Sequence, residues 1–254
     1  MIHSLHKLTL LVIVILWSQV AKADEPNAIQ VLQKAEQKLL SSSMITTMNI
    51  TIERPRWTKH MELKTWSKGK DYAAAYVIGP EKDKGTVYLK SKNAVYNYLP
   101  KIKKSIQLPV TMLNQSWMGT DLSADDLIKL TNITQDYNAR ITGSQNVSGR
   151  LCYEILLTPK EDADVLWGKL IIYIDKVDYI QLKTVFYDED LVAVNTLVAS
   201  QIKVFGDRKL ASKIVMTPQK KTGYKTTIEY TRIIFNQSIP SSFFTKENLP
   251  KIKP

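Results

Sequence analysis

From residue 44 onward most of the chain alternates apolar and polar side chains in short runs rich in β-branched residues, and turn formers break it about every ten residues. The runs cover 44–53, 59–68, 71–78, 86–90 and 94–99, then 137–142, 150–158, 167–175, 179–187, 192–205, 210–217 and 225–234. Lys68-Gly69-Lys70, Gly79-Pro80, Ser91-Lys92-Asn93 and Pro100 punctuate the first group. Short connections between such runs predict an antiparallel meander, because parallel neighbours need long crossovers. No fixed-period repeat or long linker divides the chain, so about eleven strands belong to one domain.

A meander of that size must curl, since strands twist and large open sheets bend or close. Several runs carry large apolar groups on one parity, as with Leu151, Tyr153, Ile155 and Leu157, against a mixed opposite parity. The sheet therefore has an apolar face and a wet face. Only two stretches are available as cover. Residues 27–40 form an amphipathic helix with Ala28, Leu32, Ala35 and Leu39 on one face, and residues 109–131 interrupt the strands with a loop and a helix starting near Ser123. So small a cover over so much apolar surface predicts a cavity beneath a lid. A filled core is the competing expectation.

Residues 1–23 read as a signal peptide: Lys7, an apolar run from Leu8 to Trp17, and Ala21-Lys22-Ala23 ahead of a cleavage before Asp24. The run is shorter than the roughly 20 apolar residues that span a bilayer, although an uncleaved anchor is the alternative. Residues 24–254 then form the single mature domain. Processing removes Lys7 and Lys22 but no acid, so the formal net charge of +11 becomes +9, and His60 is the last of three histidines. Cys152, the one cysteine, excludes an internal disulfide and reads as a small buried side chain. Nine scattered glycines offer no phosphate-cradling loop. No metal site or cofactor is expected, and a lone histidine with acids confined to turns and helix starts predicts no enzyme. The basic excess points away from nucleic acid in an exported protein. Lys101-Ile102-Lys103-Lys104 and Gln219-Lys220-Lys221 are turns able to touch anionic lipid headgroups.

Residues 116–127, Ser-Trp-Met-Gly-Thr-Asp-Leu-Ser-Ala-Asp-Asp-Leu, resemble the branch of the outer-membrane lipoprotein-sorting (LolA-like) family that carries a Ser-Trp-Met-Gly-Ser/Thr-Asp segment. The order of signal peptide, helix, meander, motif, strands and a closing Ile239-Pro240…Phe243-Phe244…Leu249 segment agrees over nearly the whole mature chain. The resemblance implies a half-open β-barrel closed by helices around an apolar cavity. It implies a monomeric periplasmic carrier of acylated lipoprotein or lipid, with an inner-membrane donor and an outer-membrane acceptor. A non-transporting lipid- or lipoprotein-sensing domain on the same fold is the alternative. Trp117, Met118, Leu122 and Met112 are the expected lid groups, and Trp66, Tyr96, Tyr98 and Tyr153 the expected cavity lining. Arg54 and Arg56, flanking Pro55, are the candidate lid latch. Soft, adaptable side chains suit a site that must release as well as hold.

Overall fold

The computed structural model describes residues 26–69, 71–109, 112, 115–122, 133–163 and 165–254. The expected signal peptide and the helix start at Ser123 lie outside them. Helix α1 (Ala28–Gln37) opens the described chain, its Asn27 side chain accepting a hydrogen bond from the Ile29 N–H at 2.9 Å. It stops short of the expected Leu40. Lys38 and Leu39 bond back three residues, which tightens the last turn, and Leu39 and Leu40 are exposed. Val31, outside the expected face, is buried beside Ala28 and Leu32.

The strands are β1 (Ser43–Arg54), β2 (Trp57–Lys68), β3 (Tyr72–Gly79), β4 (Val87–Ser91), β5 (Ala94–Leu99) and β6 (Lys104–Leu108). After a short helix α2 (Ile133–Asp136) come β7 (Tyr137–Val147), β8 (Arg150–Pro159), β9 (Lys169–Asp175), β10 (Gln181–Tyr187), β11 (Ala193–Phe205), β12 (Arg208–Pro218) and β13 (Lys225–Phe235). They form one antiparallel sheet in the order β6-β5-β4-β3-β2-β1-β13-β12-β11-β10-β9-β8-β7, in which β6 and β7 are unclosed edges. The sheet thus has 13 strands rather than about eleven. Strand β6 escapes sequence reading because it is a five-residue edge strand whose Ile106 stays exposed, following a lysine-rich turn. Strand β7 runs past the expected residue 142 because a bulge there lets Gly143 resume pairing with Glu154.

Registers sort the side chains onto two faces. The inner face carries Ile50 and Ile52 of β1, Met61 and Leu63 of β2, Ile228 of β13 and Met216 of β12, and continues to Ile172 of β9 and Ile155 of β8. Helix α1 covers the β7–β9 part through Ala28, Val31 and Leu32. The outer face carries Trp66, Ala74, Tyr76, Val87 and Leu89, and the C-terminal segment folds over them with Ile239, Phe244, Leu249 and Ile252. Cys152 belongs to a second outer cluster with Tyr173 and Leu182. Burial, with help from the Asp175 charge, pushes its thiol up to about 11, so it stays protonated and inert.

Candidate functional site at the sheet's mouth

The connections 55–56, 80–86, 100–103, 160–168, 188–192 and 219–224 all lie at one end of the sheet, because alternate ends of an antiparallel meander hold alternate turns. Residues 116–122 lie at this mouth, on the inner face. Met118 (φ 50°) and Gly119 (φ 85°) both adopt left-handed backbone, which turns the chain sharply and suits glycine at 119. Local hydrogen bonds hold the turn. Trp117 N–H donates to the Leu122 carbonyl at 2.9 Å, the Thr120 hydroxyl lies 2.7 Å from the Trp117 carbonyl, and Ser116 Oγ donates to the Thr120 carbonyl.

The turn projects Trp117 and Leu122, each 7% exposed, into the Met48–Ile50–Ile52–Met61–Leu63 cluster. Trp117 meets Tyr88 edge-on at 5.3 Å between ring centroids. Burial, chiefly, and the nearby Asp83 charge raise the Tyr88 hydroxyl above its ordinary value. Among the described residues, this part of the inner face is therefore plugged by a seven-residue segment contributed from outside the sheet.

Arg54, the last residue of β1, fastens the segment. Its guanidinium donates to Asp121 Oδ2 at 3.0 Å and to the Gly119 carbonyl at 2.6 Å, and it also reaches the Glu53 and Lys225 carbonyls. Thr226 completes the arrangement, its hydroxyl donating to Asp121 Oδ2 at 2.7 Å while its oxygen accepts the Asp121 N–H at 2.9 Å. The Arg54 and Asp121 side chains are 7% and 6% exposed, so charge is buried but fully engaged. Tyr224 lies under the guanidinium at 4.7 Å. Arg56 is exposed in the turn, so the fastening geometry belongs to Arg54. Beside the segment an open cleft of about 680 Å³ runs between Trp57, His60, Pro80, Lys82 and Met118.

The expected lining residues are not all brought together. Trp66, Tyr96 and Tyr98 lie on the outer face and pack with the C-terminal segment, Trp66 against Phe243 at 5.4 Å. The error is one of parity. An aromatic strand pattern shows which side chains share a face, not which face is inner, and the cover on the outer side comes from a C-terminal segment that lacks helical periodicity. Tyr153 is on the inner face, but with the α1 cluster. Met112 is 46% exposed. Sequence reasoning missed Asp121 and Thr226 as Arg54's partners. Asp121 sits inside the quoted motif, yet its cation is 67 residues away. Among the described residues no group of three or more His, Cys, Asp or Glu side chains is arranged to hold a metal ion.

A family model described as that of an uncharacterized protein matches residues 69–251, from the β2–β3 turn to the C-terminal segment and through the motif. The chain belongs to that family. No curated protein matches it. Its fold is similar to that of solved proteins that include a LolA superfamily member. A DUF1329 family protein from Desulfovibrio piger superposes with a TM-score of 0.78 at 21% identity, over 87% of this chain and 97% of the other. An outer membrane lipoprotein-sorting protein domain from Vibrio parahaemolyticus gives 0.76 at 19%, over 88% and 98%. A LolA superfamily protein from Nitrosomonas europaea gives 0.72 at 19%, over 88% and 99%. At these identities the likeness is one of fold. This family member has no helix, among its described residues, that is long and apolar enough to cross a membrane.

Proposed function

We propose that this protein is a periplasmic carrier that binds acyl chains of lipoproteins or lipids on the inner face of its sheet and delivers them toward the outer membrane. One observation carries the reading: the apolar groups over the β1, β2, β12 and β13 part of that face come from a short segment fastened by Arg54, rather than from strands. A plug of this kind can leave without breaking a ladder hydrogen bond, and its departure bares Ile50, Ile52, Met61, Leu63, Met216 and Ile228 together. Each acyl CH₂ then buried contributes roughly 0.8 kcal/mol. The fold shared with lipoprotein-sorting proteins supports the same reading.

Arg54 holds the closed state. Opening trades its bonds to Asp121 and Gly119 for water, and the cargo's apolar burial offsets that loss. Native mass spectrometry of protein isolated from its own host should show co-purifying lipid or acylated peptide, and that cargo should pass to acceptor membranes. A fluorescent fatty acid should bind more tightly to Trp117→Ala, because the plug then gives up less apolar burial on leaving, with the sheet's circular dichroism retained. Unchanged uptake would remove Trp117 from the site, and absence of any acyl ligand or uptake would end the carrier reading.

A further inference from the structure

The mouth is electrically divided, and the division follows strand order. Starting from the β6 edge, the β5–β6 turn carries Lys101 and Lys103 around an exposed Ile102, with Lys104 opening β6. The β3–β4 loop next to it mixes Lys82 and Lys84 with Glu81 and Asp83, whose charges are locally paired through Lys84–Glu81 and Lys59–Asp83. The β1–β2 turn brings Arg56 and a half-exposed Trp57, and the β12–β13 connection brings Lys220 and Lys221. These connections touch: Gly85 lies against Pro100, and Gly223 against Pro55. Beyond β12 the sign reverses. Asp188, Glu189 and Asp190 form the β10–β11 turn, and Glu161 and Asp162 lie in the β8–β9 loop beside it, whose Lys160 is held on the Thr134 and Gln135 carbonyls; Gly168 packs so close to Asp188 that a Cβ there would meet its carbonyl.

We infer that the basic arc of the mouth, from the β5–β6 turn to the β12–β13 connection, docks on an anionic phospholipid surface, with Ile102 and Trp57 entering the headgroup layer. Charge complementarity decides the occupant. The arc couples lysines to isolated exposed apolar tips, Ile102 at 56% and Trp57 at 50%, the pairing that favours a bilayer interface, where ammonium groups meet phosphates and an indole sits among headgroups. The acidic arc is repelled from the same surface, so the molecule tilts. That tilt brings the Arg54 end of the plug toward the lipid and holds the β8–β11 side away. The two basic turns lie far apart in sequence and are joined only by the fold.

The inference deepens the carrier reading, but its test does not depend on it, because vesicle binding is measured without acyl probe and acyl uptake without vesicles. Protein recovered after export is sedimented with phosphatidylcholine vesicles with and without phosphatidylglycerol. Binding is expected only with phosphatidylglycerol and is lost as salt rises. Reversing Lys101, Lys103, Lys220 and Lys221 to Glu should weaken it by at least about fivefold per side chain. Reversing Lys92 and Lys203, exposed but away from the mouth, should change it little. Brominated phosphatidylglycerol should quench Trp57, and Trp57→Phe should remove most of that quenching. Equal binding to both vesicle types, equal loss in the two charge-reversed variants, or no quenching would overturn the inference. Salt-sensitive binding to an acidic protein with none to anionic vesicles would overturn it too.

Discussion

Two arginines anchor opposite ends of this sheet, and they fasten different kinds of structure. Arg54 at the mouth binds Asp121, which belongs to a segment outside the sheet. Arg150 at the far end binds Asp175 and Asp178, in and after β9, while Lys209 at the start of β12 also reaches Asp178. Both arrangements bury at least one carboxylate; Asp175 is 1% exposed. The Arg150 cluster ties hairpins of the sheet to one another, so losing it loosens the body of the protein. The Arg54 cluster ties a cover to the sheet, so losing it frees the cover. The same chemistry fastens the body of the sheet or only a cover on it, according to what lies across the pair.

The largest effect should come from Arg150→Met. It leaves Asp175 buried without its cation, which costs about 3–5 kcal/mol, and chemical denaturation should record the whole amount as a lower midpoint. Arg54→Met strands Asp121 in the same way, but the expected loss of about 3 kcal/mol is confined to the plug. Amides of residues 117–122 should exchange about a hundredfold faster, while the unfolding midpoint shifts far less than in Arg150→Met. Equal midpoint shifts in the two variants would break the comparison.

Acid should sharpen it. Burial pushes Asp175 up, but the hydrogen bonds from Arg150 and the Asp178 N–H outweigh this and hold its carboxyl below the ordinary value; Lys209 and Arg150 do the same for Asp178. The unfolded chain therefore binds more protons than the folded one just below the ordinary carboxylate pKa of about 3.9. The cluster's contribution is complete above that pH and fades as pH falls through the lower folded values. Stability against pH should lose slope there in Asp175→Asn and keep it in Arg54→Met. The smallest effect belongs to Thr226→Val. It removes one hydroxyl from Asp121 and should cost about 1 kcal/mol, seen as faster exchange at the plug with an unchanged midpoint.

The strand meander, the covering helix and the motif were legible because each rests on local periodicity or a contiguous string. The edge strand β6 was not, since Ile106 and Leu108 alone, in five residues at an exposed edge, make too short an alternation to read. The split of aromatics between faces was hidden for a related reason: Trp66 and Met61 occupy one strand with opposite parity, and only the packed C-terminal segment tells which of them faces out. Arg54 could be placed in the right region from Arg-Pro-Arg, but Asp121 and Thr226 meet it through pairings of β1 with β13 that no local pattern encodes. The basic turns were visible as charge runs. Their contiguity on one rim, and the acidic arc opposite, are properties of strand order.

The edges β6 and β7 do not meet. A closed barrel has its circumference set by strand number and shear, whereas this sheet has none to conserve. Its curvature is therefore free of a closure constraint and is set by the twist between neighbours, summed over thirteen strands. For the carrier proposed above, a bulkier cargo would then call for a change of angle between strands rather than for the rupture of a closed ring.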